Sequence, residues 1–123
     1  MLSKIYNWFC KKPISYEIDK YGSKMYYNTK GKLHREDGPA EEWSNGVKIW
    51  RLNGKLHRED GPAVERSDGG KYWYLNGNLH RENGPAIEYN NGFKAWYLNG
   101  NPYREDGPIE EYANSNKYLY PKQ

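Results

Sequence analysis

Through most of the chain, apolar and aromatic residues alternate with polar ones in short stretches, and each stretch is stopped by a turn signal. Alternation with a period of two is the pattern of a half-buried strand. Ser44-Asn45-Gly46, with counterparts at 67–69 and 90–92, predicts a three-residue hairpin loop with glycine in the left-handed position. Asn53-Gly54, Asn76-Gly77 and Asn99-Gly100 predict two-residue type I′ turns, which need positive φ at both central residues. Asp-Gly-Pro or Asn-Gly-Pro closes each stretch, and a proline without an N–H belongs at a strand start or edge. No helix is expected between these signals.

The signals recur. Leu33-His34-Arg35-Glu36-Asp37-Gly38-Pro39 returns at Leu56–Pro62, Leu79–Pro85 and, more loosely, Pro102–Pro108, a constant step of 23 residues. Lys48–Gly54 returns in the same way at Lys71–Gly77 and Lys94–Gly100. Three full units therefore span 39–61, 62–84 and 85–107. Residues 16–38 form a degenerate first unit with a one-residue slip near Tyr21-Gly22, and 108–123 form a partial last unit. Terminal copies of a stacked repeat are expected to differ, because they cap it. Residues 1–15 lie outside the repeat as an N-terminal cap or amphipathic segment. The expected fold is all-β: an elongated ladder of antiparallel β-hairpin repeats, single-layer or solenoid, with a short helical or irregular N-terminal cap.

The turn assignments also set the register. A loop at 44–46 places Glu42 opposite Lys48, and the same count gives Glu65–Lys71, Glu88–Lys94 and Glu111–Lys117. Opposite charges directly across a sheet contribute about 0.2–1 kcal/mol each. Alternation then separates two faces. One hardly changes between units: Ala40, Glu42, Lys48, Trp50, Leu52 and His57 become Ala63, Glu65, Lys71, Trp73, Leu75 and His80, then Ala86, Glu88, Lys94, Trp96, Leu98 and Tyr103. Trp50, Trp73 and Trp96 are expected to stack as a column beside Leu52, Leu75 and Leu98, each burial worth about 1.5–3 kcal/mol. The other face varies, and Trp43, Ile49, Arg51, Tyr72, Tyr74, Tyr89, Phe93 and Tyr97 are its candidate partner-binding residues. A second, semi-buried surface is the alternative for that face.

Composition refines this picture. Mean hydropathy is −1.21, yet aromatics make up 16% of the chain, with five Trp and thirteen Tyr, which argues against disorder. The net charge of +3, with 19 basic and 16 acidic residues interspersed, gives no basis for a nucleic-acid partner. Cys10 is the one cysteine, so no intramolecular disulfide forms, and with no leader or membrane-spanning run evident a cytoplasmic location is expected. His34, His57 and His80 are about 10 Å from their counterparts at ~4.8 Å per strand, too far to share a zinc ion, and are expected to stack on tryptophan. Glu36-Asp37-Gly38 and its copies lack the spacing of a calcium loop. Arg35, Arg58, Arg81 and Arg104 each adjoin a carboxylate, which favours an Arg–Glu network over a phosphate-binding stripe. No catalytic constellation, metal site or cofactor is expected. Leu2, Ile5, Trp8 and Phe9 fall on one side of a helix, with Lys4, Lys11 and Lys12 around it, so residues 1–12 are read as a helix capping the sheet or lying on a membrane surface.

The period, the run Asn-Gly-Lys-Leu-His-Arg-Glu-Asp-Gly-Pro-Ala at 53–63, and the aromatic residues ahead of Asn-Gly resemble the MORN-type repeats, in particular the variant, antitoxin-like group of bacteria, phages and giant viruses. The likeness covers about residues 16–120. Two extra residues separate successive Asn-Gly signals, and Glu-Asp-Gly-Pro stands where the usual motif has Gly-x-Gly. The resemblance implies an elongated single-layer β-ladder that binds proteins or membrane lipids, with no catalytic residues. It further implies an inhibitor or sequestering factor, of the kind a phage or virus directs at host defence in the host cytoplasm. Alternatives are a membrane-surface adaptor using residues 1–12 and the aromatic face, or a self-assembling scaffold that forms a homo-oligomer.

Overall fold

In the computed structural model the described residues are 4–6, 13–113 and 118–119, with side chains from Ser15 to Ala113. They are all-β, as the turn and alternation pattern predicts. The first strands are β1 (Lys4–Tyr6), β2 (Pro13–Ile18) and β3 (Lys24–Tyr27). Each later unit contributes four strands of two residues. Unit 39–61 has β4 (Glu41–Glu42), β5 (Lys48–Ile49), β6 (Arg51–Leu52) and β7 (Lys55–Leu56). Unit 62–84 has β8 (Val64–Glu65), β9 (Lys71–Tyr72), β10 (Tyr74–Leu75) and β11 (Asn78–Leu79). Unit 85–107 has β12 (Ile87–Glu88), β13 (Lys94–Ala95), β14 (Tyr97–Leu98) and β15 (Asn101–Pro102). The chain continues with β16 (Glu110–Glu111) and β17 (Tyr118–Leu119).

The first hairpin of every unit joins one wide antiparallel sheet of eleven strands, ordered β1-β2-β3-β4-β5-β8-β9-β12-β13-β16-β17. The second hairpins, β6–β7, β10–β11 and β14–β15, form a separate row. That row is tied together at the repeat step, Gly54 N–H donating to Leu33 O, Gly77 N–H to Leu56 O and Gly100 N–H to Leu79 O, each at 2.8 Å.

Trp50, Trp73 and Trp96 sit at the corner between the two rows. Strand pairing stops at Ile49 and resumes at Arg51, because the Trp50 N–H turns aside to Ala63 O (2.7 Å) while its carbonyl accepts from the His57 N–H (3.1 Å). The unbroken alternation expected through residues 48–52 is therefore interrupted at each tryptophan. Ala40, Ala63 and Ala86, whose carbonyls accept from Tyr26, Trp50 and Trp73, are completely buried, and a larger side chain has no space where the chains approach.

Turn geometry follows the sequence. Asn53, Asn76 and Asn99 have φ of 51°, 51° and 50°, each followed by a positive-φ glycine, as type I′ turns require. Gly46, Gly69 and Gly92 close the three-residue loops with φ of 96°, 92° and 90°. Gly22, with φ of 91°, ends the equivalent first loop one position out of step, which is the slip expected near Tyr21-Gly22.

The register places Glu42 opposite Lys48, Glu65 opposite Lys71 and Glu88 opposite Lys94, as predicted. It also pairs units with one another, so Lys24, Glu42, Lys48, Glu65, Lys71, Glu88, Lys94 and Glu111 follow strand by strand with alternating sign. The expected Glu111–Lys117 pair is not made: Glu111 faces Tyr118. In the sequence, residue 115 is a serine where the earlier loops carry glycine, so the signal for a three-residue loop is missing from this copy.

The N-terminal helix is also corrected. Lys4–Tyr6 is a strand, pairing Ile5 with Ile14 on β2, and β2 runs through the boundary expected at residues 15/16. An isolated three-turn helix is marginal, whereas a sheet edge satisfies the backbone at once. The remaining residues of that reading, 1–3 and 7–12 (Cys10 among them), lie outside the described ones. Among the described residues, no helix is long and apolar enough to cross a membrane.

Candidate functional site

The repeated tryptophans do not stack on each other. Each is covered by the arginine eight positions later: the Arg58 guanidinium carbon lies 3.8 Å from the Trp50 ring centroid, Arg81 3.9 Å from Trp73 and Arg104 3.7 Å from Trp96. Arg35 covers Tyr26 in the same way at 4.1 Å. The other side of each guanidinium is closed by the glycine of the Gly-Pro step. A Cβ on Gly38, Gly61, Gly84 or Gly107 would come within 2.8–2.9 Å of the arginine Cζ. These glycines are there for close approach rather than for positive φ. A guanidinium flat on an indole contributes about 0.5–2 kcal/mol, and each planar fork also bonds in its own plane. Arg58 Nη1 donates to Pro62 O at 3.1 Å and Nε to Asp60 Oδ1 at 3.3 Å, with Glu65 Oε2 3.6 Å from Nη1.

This arrangement replaces the expected ring-on-ring column: a guanidinium rather than a second indole lies on each repeated tryptophan. The half-buried arginines also face Glu42, Glu65, Glu88 and Glu111, the Arg–Glu network expected in preference to a phosphate-binding stripe. The histidines have a further role: Nδ1 of His34, His57 and His80 accepts the N–H of Asn53, Asn76 and Asn99 at 2.8, 3.0 and 3.0 Å. Each histidine thereby holds the type I′ turn of the next unit. Leu52, Leu75 and Leu98 are half-buried and line open grooves of about 720, 670 and 840 Å³ between units, beside these same histidines and arginines.

The varied side is different. Tyr72, Tyr89, Phe93 and Tyr112 form a continuous aromatic row with successive ring centroids 5.9, 5.0 and 5.0 Å apart. Tyr89 and Phe93 flank the loop of the β12–β13 hairpin, where Tyr89 N–H donates to Phe93 O. Tyr72 is opposite Ile87 on the neighbouring strand, diagonal to Tyr89. Tyr89 and Tyr112 are each 41% exposed, so the row presents ring surface to solvent. Tyr112 was not among the expected contacts, although one 23-residue step from Tyr89 lands on it. Its hydroxyl donates to Glu110 Oε2 at 3.0 Å, which holds the phenol pKa above its ordinary value.

Of the other candidates, Trp43 is exposed but lies two hairpins away, and Ile49 is half-buried opposite Glu41 and Val64. Arg51 is not a free contact. Its Nε pairs with Glu41, which is only 5% exposed, and its Nη1 donates to Gly54 O at 3.0 Å. Tyr74 and Tyr97 occupy the positions equivalent to Arg51 and are half-buried. Burial first, and the nearby Tyr89 second, raise the Tyr74 pKa. The row is interrupted in unit 62–84, where Arg66 and Gly70 stand in place of Tyr89 and Phe93. Arg66 Nε faces Asp68 Oδ2 at 3.4 Å, and the Gly70 N–H donated to Asp68 Oδ1 holds that carboxyl below its usual range.

No family model, curated protein or solved structure matches the chain.

Proposed function

We propose that this chain is a non-catalytic binding protein of the MORN-like kind, which engages a protein partner through the aromatic row Tyr72, Tyr89, Phe93 and Tyr112. One observation carries the reading: the row is exposed and confined to the C-terminal half, while the repeated side is filled by Arg-capped tryptophans that serve the fold. Large rigid aromatics that lose little entropy on contact dominate protein interfaces. The partner-binding set accordingly shifts from Arg51, Tyr74 and Tyr97 toward Tyr89, Phe93 and Tyr112. Occupying a partner's surface in this way suits an inhibitor or sequestering factor.

The test is affinity capture from host extract with the full chain and with Tyr89→Ser/Phe93→Ser/Tyr112→Ser. Loss of a specific captured protein, with circular dichroism and melting retained, supports the reading. Equal capture by the variant refutes it. A second reading, a self-assembling scaffold, is favoured by a sheet order that, among the described residues, ends in β1 and β17. Light scattering that gives a monomer across micromolar to millimolar concentration removes it. For the membrane-surface alternative, built on residues 1–12 and the aromatic face, Lys4–Tyr6 is a strand rather than part of a helix.

A further inference from the structure

An asparagine followed by glycine is open to attack on its side-chain amide by the chain itself, because no Cβ shields the glycine nitrogen. The sequence holds six such steps, at 45–46, 53–54, 76–77, 83–84, 91–92 and 99–100. Five of them have the attacking nitrogen engaged. The N–H of Gly46 donates to Trp43 O at 2.9 Å and that of Gly92 to Tyr89 O at 3.0 Å. The N–H groups of Gly54, Gly77 and Gly100 donate to the carbonyls of Leu33, Leu56 and Leu79, each at 2.8 Å. A nitrogen held in this way must give up a hydrogen bond before it can attack. Two of the target amides are engaged as well: Asn45 Oδ1 accepts the Val47 N–H at 3.1 Å and Asn91 Oδ1 the Phe93 N–H at 3.0 Å.

The sixth step is different. Asn83 is exposed, and among the described residues neither its side chain nor the Gly84 N–H has a hydrogen-bond partner. Position 83 is also where the repeat departs from its own pattern. Asp37, Asp60 and Asp106 occupy it in the other copies and lie 3.1, 3.3 and 3.4 Å from Nε of Arg35, Arg58 and Arg104. An ionised carboxylate resists nucleophilic attack, whereas a neutral amide can lose ammonia. Arg81 keeps the rest of the arrangement, with Nη1 donating to Pro85 O at 3.0 Å and lying 3.4 Å from Glu88 Oε1.

We propose that Asn83 is a site of spontaneous deamidation in the folded protein. The Gly84 nitrogen attacks Asn83 Cγ, its proton passes to the departing amide nitrogen, and ammonia leaves as a five-membered succinimide closes. Water then opens the ring at either carbonyl, so the net change is one water taken up and one ammonia released. Opening at one carbonyl gives an aspartate at position 83, which supplies the carboxylate that Arg81 lacks and completes the fourth Arg–Asp pair. Opening at the other gives isoaspartate, which adds a methylene to the main chain beside the Arg81–Pro85 bond. The chain thus gains one negative charge with age, at a single place in the groove between units 62–84 and 85–107.

The experiment is incubation of the full chain in mildly alkaline buffer, native and in urea, with peptide mass spectrometry at intervals. In the native chain Asn83 is expected to convert at least tenfold faster than any of the other five. In urea, where their nitrogens are released, the others should approach its rate. Asn83→Gln, whose longer side chain does not close the five-membered ring, should keep the native charge on ion exchange through the same period. Asn83→Asp should move the Arg81 Nε–H resonance toward those of Arg58 and Arg104. A native Asn83 no faster than the other five, a preference that persists unchanged in urea, acidic species arising as fast in Asn83→Gln, or an unmoved Arg81 resonance each overturn the proposal.

Discussion

Glu41 is almost fully buried and is paired with Arg51 ten residues on, across the corner that separates the two rows of hairpins. The next unit places Val64 and Tyr74 at these positions, and the one after it Ile87 and Tyr97. The corner is thus filled either by an ion pair or by an apolar pair. Removing one partner of a buried pair leaves the other charge uncompensated, at about 3–5 kcal/mol, while replacing both by a packed apolar pair is close to neutral. Arg51→Ala should lower the unfolding free energy by about 3 kcal/mol. Glu41→Val/Arg51→Tyr, which copies the next unit, should return it to within about 1 kcal/mol of the parent. Urea melts of the three proteins decide the point; an Arg51→Ala protein as stable as the parent contradicts it.

The arginine sandwich makes a second prediction. Gly61→Ala drives a methyl into the Arg58 guanidinium, since the new Cβ would lie 2.8 Å from Cζ. A stability loss of about 1–3 kcal/mol is expected, as for other overpacked sites. In an Arg58→Ala background the same substitution should cost much less, because the clash is gone. The double-mutant cycle reads this coupling directly.

The charged ladder gives a third. Glu65 faces Lys48 and Lys71 and lies 3.6 Å from Arg58. Glu65→Lys would set four cations around one rung, for an expected loss of about 1–2 kcal/mol at low salt. Raising ionic strength to about 1 M shortens the screening length to about 3 Å and should recover part of that loss. A salt-independent loss would assign the effect to packing instead.

Alkaline pH gives the fourth. Burial raises the pKa of Tyr27, Tyr72 and Tyr74 above the ordinary value of 10.0, so between 10.0 and the raised values the unfolded chain loses protons that the folded chain keeps. Stability is then fully present below pH 10 and falls as pH rises through the folded values. Tyr72→Phe/Tyr74→Phe should flatten that decline, measured as the urea midpoint between pH 9 and pH 11. An unchanged slope would remove these phenols as its cause.

Most of the scaffold could be read from residues alone, because the turns are chemically explicit. Asn-Gly demands positive φ twice and sets the second hairpin, and the three-residue loops closed by glycine set the register from which Glu42–Lys48 and its two copies follow. What stayed hidden depends on contacts between units. A repeated Trp and a repeated Arg eight positions apart do not reveal that one lies on the other, since that needs the corner at residue 50. The same corner, with its bond from Trp50 N–H to Ala63 O, ends the alternation on which Arg51, Tyr74 and Tyr97 were assigned to a contact surface. Tyr112 was legible by counting 23 from Tyr89, but the weak last unit obscured it. At the last hairpin Glu111 faces Tyr118 rather than Lys117, in the one copy whose sequence lacks the loop glycine.

The bond from each histidine to the asparagine turn nineteen positions ahead means that no unit is complete by itself; each supplies an acceptor that the following copy uses. A ladder joined in this way can gain or lose one whole copy in the middle, because the new neighbours present the same donor and acceptor. Such an edit alters how far the varied surface reaches and which rings fall side by side upon it, while every remaining junction stays chemically the same. The scaffold thus leaves its recognition surface open to rapid change by duplication and deletion, independently of whatever keeps the chain folded.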